Sequence, residues 1–108
     1  MKYLVSISPS NKAIKYINAE GFQVDSSSYI LDKILLDDNS NLLIVEFRES
    51  QKGEPSFLLK KMPNSQLVGD AFIVKYNASN SNFSYFTIEE AINKIRYLQN
   101  NIEWSTIK

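Results

Sequence analysis

The chain reads as an α+β domain, an antiparallel β-meander of about four to five strands with an N-terminal and a C-terminal helix packed on one face. Three observations predict it. Short runs rich in Ile, Val, Leu, Phe and Tyr alternate with polar residues and are cut by turn signals at close intervals. Residues 87–101 carry apolar side chains at helical spacing behind a capping signal. At 108 residues the chain is long enough for one core and too short for two, so 1–108 is read as a single domain.

Residues 3–8 set Tyr3, Val5 and Ile7 against Leu4, Ser6 and Ser8, the two-residue period of a strand, which Pro9 ends. Ser10 or Asn11 then offers an N-cap for a helix over 11–20, with Ala13, Ile14 and Ile17 on one face and Gly21 as its left-handed stop. A short extended piece at 22–24 leads to the polar cluster Asp25-Ser26-Ser27-Ser28. Residues 29–36 suit a helical turn or a buried strand. The turn signal Asp37-Asp38-Asn39-Ser40-Asn41 favours a strand there, paired as a hairpin with 42–48.

In 42–48 the residues Leu43, Val45 and Phe47 oppose Leu42, Ile44, Glu46 and Arg48. A turn at 51–55 precedes a strand at 56–62, and Pro63-Asn64-Ser65 precedes another at 70–77. Their even spacing predicts that these three strands lie side by side in chain order. The last element has the fullest set of signals. Thr87 with Glu90 makes a capping box, and Phe86 stands where a hydrophobic staple would. Ile88, Ala91, Ile92, Ile95, Leu98 and Ile102 recur as one apolar stripe, and Trp104 is expected to fold back as an anchor.

Composition narrows function. Eleven Asn and fourteen Ser favour caps and turns, hence many short polar connections. Twelve basic residues balance twelve acidic ones, which leaves no surplus to neutralise phosphates and argues against nucleic acid as the partner. Near-zero net charge also removes one barrier to self-association, so a homo-oligomer is allowed. Cysteine and histidine are both absent. Disulfides, thiolate nucleophiles, Cys/His zinc sites and a Ser-His-Asp triad are thereby excluded. The three glycines stand alone, with no phosphate-cradling loop and no cofactor implied. The N-terminal apolar run is too short for a signal peptide, and no window suits a membrane span. The cytoplasm is the expected compartment, with no membrane partner.

Three constellations merit weighing. Asp37 or Asp38 ahead of Glu46-Phe47-Arg48 has the order of acids in a metal-dependent nuclease of the PD-(D/E)xK kind. Arg48 stands where such a site needs Lys, and arginine is a poor base. A degenerate nuclease using Asp37, Asp38 and Glu46 is the alternative reading. Lys60, Lys61 and Lys75, with Phe57, Phe72 and Tyr76 on neighbouring strands, would suit base stacking if the rings were exposed. The third is the outer side of the C-terminal helix. Wheel geometry places Glu90, Asn93, Lys94 and Tyr97 there, and an outward Tyr among polar residues has the profile of an interface anchor.

With the common catalytic side chains missing, the expected function is a non-catalytic protein-binding domain. An inhibitor, immunity or anti-defence protein that occludes a larger partner fits that profile, and a subunit of a larger assembly is a further alternative.

Overall fold

The first two elements form a β-hairpin. A computed structural model describes residues 1–22, 28–36, 39–46, 51–60, 66–77 and 82–108. Strand β1 (Tyr3–Ser8) pairs antiparallel with β2 (Ala13–Asn18), from Tyr3 opposite Asn18 to Ser8 opposite Ala13. The helix expected over 11–20 is therefore a strand, and the physical reason is local. Ser10 and Asn11 serve a tight turn. The Asn11 amide donates to Ser8 Oγ (3.1 Å), Lys12 N–H donates to the Pro9 carbonyl (3.3 Å), and Lys12 takes the left-handed conformation at φ 51°. Past that turn, the β-branched Ile14 and Ile17 and the ring of Tyr16 suit a pleated surface. Gly21 does take a positive φ (79°), but it closes a turn after a strand, where Phe22 N–H donates to the Ala19 carbonyl (2.9 Å).

β3 (Ser28–Leu36) and β4 (Asn39–Glu46) form the predicted hairpin, with Leu36 opposite Asn39 and a bulge between Ile30 and Asp32. The chain then leaves this sheet. β5 (Pro55–Leu59) pairs with β6 (Leu67–Val68), and β7 (Ala71–Asn77) returns to the large sheet, where β8 (Asn82–Ser84) pairs with its far end. Helix α1 (Ile88–Asn101) follows and runs directly into β9 (Ile102–Thr106), which lies along β5.

Every described pairing is antiparallel, yet the order is not a meander. The large sheet runs β2-β1-β7-β4-β3 with β8 beside β7, and the small one runs β6-β5-β9. β4 meets β7 rather than β5, because β5 is recruited to the second sheet. β2 and β3 sit on opposite edges of the sheet, about 19 Å apart at four strand spacings.

The core forms where the two sheets and the helix meet. Val5, Ile7, Phe57, Leu59, Ala71, Ile73, Phe86, Ala91 and Leu98 are buried together. Trp104 packs edge-on against Phe57 at 6.3 Å between ring centres, as the expected anchor would. A smaller cluster of Leu4, Ala19 and Val74 lies apart from it, with Phe22 and Phe72 in edge contact (5.3 Å) at its margin.

The capping box forms as read. Glu90 N–H donates to Thr87 Oγ1 (3.2 Å) and Thr87 N–H donates to Glu90 Oε1 (2.9 Å). The buried line of α1 differs from the apolar stripe. Ala91, Lys94 and Leu98 are buried, Ile88 is 42% exposed, and Ile102 belongs to β9. At 3.6 residues per turn the buried line is rotated about 60° from the centre of the Ile/Leu stripe.

Candidate protein-binding surface

The four residues expected to share the outer side of α1 do not lie on one exposed patch. Asn93 is exposed, but Lys94 is only 4% exposed and Tyr97 packs half-buried against the core cluster. Glu90 is committed to structure. Its carboxylate accepts from Thr87 and pairs with Lys75 Nζ at 2.7 Å. The hydrogen bond from Lys75 leads in holding its carboxyl below the ordinary 4.5, the Thr87 backbone bond acts the same way, and slight burial opposes both. The rotation explains the difference: Glu89, Asn93, Arg96 and Asn100 now lie on the solvent side.

Of the acids in the nuclease pattern, only Glu46 lies among the described residues, as the last residue of β4. Asp37, Asp38 and Arg48 lie outside the described residues, and Glu46 pairs with Ser28. Among the described residues no group of three or more Asp or Glu could hold a metal ion. Of the residues read as a stacking platform, four are described with their side chains. Phe57 is fully buried, Phe72 is half-buried at the second cluster, Lys75 pairs with Glu90, and Lys60 Nζ donates to the Asn100 carbonyl (3.2 Å). Lys61 lies outside the described residues. Among the described residues no helix is long and apolar enough to cross a membrane.

The surface that sequence reasoning missed is the free edge of β2. Tyr3 exchanges both its backbone hydrogen bonds with Phe86 (2.9 and 2.7 Å), so the facing pair Tyr3/Asn18 is not hydrogen-bonded. Ala19 N–H donates instead to the Lys2 carbonyl (2.9 Å). Antiparallel alternation then turns Ala13, Lys15 and Ile17 toward β1, and turns the peptide groups of Ile14, Tyr16 and Asn18 outward. Those outward groups have no hydrogen-bond partner among the described residues.

Three other edges differ from it. β3 carries a bulge, β6 has two residues, and on β9 the Thr106 carbonyl accepts from the Gln66 amide (3.2 Å). β2 has neither proline nor bulge, and its Tyr16 is 41% exposed at the centre of the strand, its ring edge-on to Tyr3 at 5.4 Å. Beyond its end, Lys2, Ala19, Phe22 and Tyr85 help line a cleft of about 480 Å³. The signal for this edge was present in the sequence as β-branched and aromatic residues in 13–18, but it was hidden by the cap-like Ser10 and Asn11.

Comparison with protein-family models, with curated proteins and with solved structures finds no match to this chain.

Proposed function

We propose that this chain is a small non-catalytic protein-binding domain, of the inhibitor or immunity kind, that occludes a larger protein by accepting one of its strands along β2. The open β2 edge is the observation that carries this reading. An unpaired, regular edge is a template for strand addition, in which main-chain hydrogen bonds supply affinity and alternate side chains supply selectivity. Tyr16 gives the edge a rigid aromatic anchor, and the cleft beside Phe22 and Tyr85 offers a place for an incoming side chain past the strand's end.

The test is affinity capture from the native cell with wild type and Tyr16→Pro. Proline at 16 removes an outward donor and no bond to β1, so the fold is expected to survive while the captured partner is lost. A partner retained in full by a folded Tyr16→Pro variant excludes the β2 edge as the site.

A further inference from the structure

We infer that in the absence of its partner the β2 edge is covered by a second copy of this chain, in a two-fold antiparallel pair centred on Tyr16. The inference rests on the proposed use of the same edge, and it concerns how that edge is kept when idle.

The register follows from the outward groups alone. A two-fold axis normal to the sheet opposes residues of like parity, and only a centre at Tyr16 engages all three outward residues at once. Tyr16 then exchanges both its hydrogen bonds with Tyr16 of the other copy, and Ile14 exchanges both with Asn18 on either side. A centre at Ile14 or Asn18 leaves part of that set unpaired.

The charges agree with this register. Lys12 and Glu20 lie in the turns that bound β2, so the same pairing brings the Lys12 end of each strand beside the Glu20 end of the other copy. Both residues are exposed, and neither has an ion pair among the described residues. The two exposed Tyr16 rings meet as a directly opposed cross-strand pair, a favourable aromatic arrangement. On the other face Lys15 lies over Ile17, which its methylenes can cover. Net charge is zero, so no long-range repulsion opposes the union. The functional consequence is competition: the resting pair hides the edge, and a partner strand must displace the second copy to bind.

The experiment is sedimentation equilibrium of the full chain between about 1 µM and 1 mM, the range in which a short-strand pair of this size should dissociate. A monomer–dimer equilibrium is expected for wild type, and a monomer for Tyr16→Pro with unchanged far-UV circular dichroism. Lys12→Glu is expected to weaken the dimer about five-fold by setting Glu against Glu, and adding Glu20→Lys to restore it. These two charge variants leave the strand intact, so they decide the matter even if the proline variant fails to fold.

Wild type that stays monomeric at 1 mM overturns the inference. So does a dimer indifferent to both the proline and the charge reversal. A monomer that still captures its partner in a Tyr16-dependent way removes the dimer and leaves the proposed function standing. A Tyr16-dependent dimer whose capture of partner is indifferent to Tyr16→Pro does the reverse.

Discussion

Phe57→Ala tests whether the two sheets and the helix share one core. Phe57 is fully buried in β5, between β6 and β9, and belongs to the same cluster as Val5, Ile73 and Leu98. Truncating a buried Phe costs about 3–5 kcal/mol through lost transfer energy and the cavity left behind. A domain of 108 residues has a stability of about 5–15 kcal/mol, so the variant should keep only a fraction of it and lose about 15–25 °C in Tm. Urea unfolding followed by two probes makes the test sharp. Trp104, the chain's only tryptophan, sits on β9 against Phe57 and reports the small sheet, while far-UV circular dichroism reports the whole. Both midpoints should fall together. If the Trp104 midpoint drops while the dichroism midpoint stays, the small sheet unfolds independently and the shared core is refuted.

Other outcomes follow from the helix and the turns. Glu90 has a folded pKa below its ordinary 4.5, so its contribution is present above that value and lost as pH falls through the folded one. Glu90→Gln, which can keep the capping box but not the ion pair with Lys75, should flatten the acid limb of Tm measured from about pH 7 down to pH 3. Lys94→Glu should destabilise by about 3–5 kcal/mol in chemical denaturation, because it puts a carboxylate where Lys94 is buried. Gly21→Ala should cost about 1 kcal/mol from its positive φ alone, since nothing lies within 4 Å of the added methyl; a larger loss of Tm would mean that the turn is tighter than described.

What could be read from sequence divides by range. The capping box at Thr87 and Glu90 and the hairpin of β3 with β4 rest on neighbours in the chain, and local chemistry sufficed for both. The stretch 11–20 failed because Ser and Asn cap helices and build turns for the same reason, a side-chain oxygen close to backbone N–H groups. The partner of β4 was not legible. Strands 42–48, 56–62 and 70–77 look alike locally, and only long-range packing sends the middle one to another sheet. The helix surface failed through Lys94. A wheel weighted by polarity turns a lysine outward, whereas its four methylenes can pack and its position between Ala91 and Leu98 draws it in. Absence of Cys and His, by contrast, needed no geometry to exclude whole classes of chemistry.

The place of β7 between β1 and β4 has a consequence for how the chain comes to be folded. Val5 pairs with Ile73, and Pro55 with Thr106, so the decisive contacts join segments far apart in the chain. Ordering such distant pairs costs loop-closure entropy before any burial offsets it, which makes for slow folding. During vectorial synthesis the β1–β2 hairpin emerges well before β7, and for that interval β1 is exposed on both its flank and its apolar surface. A nascent chain in that condition presents an unpaired strand flank to its neighbours until β7 is made.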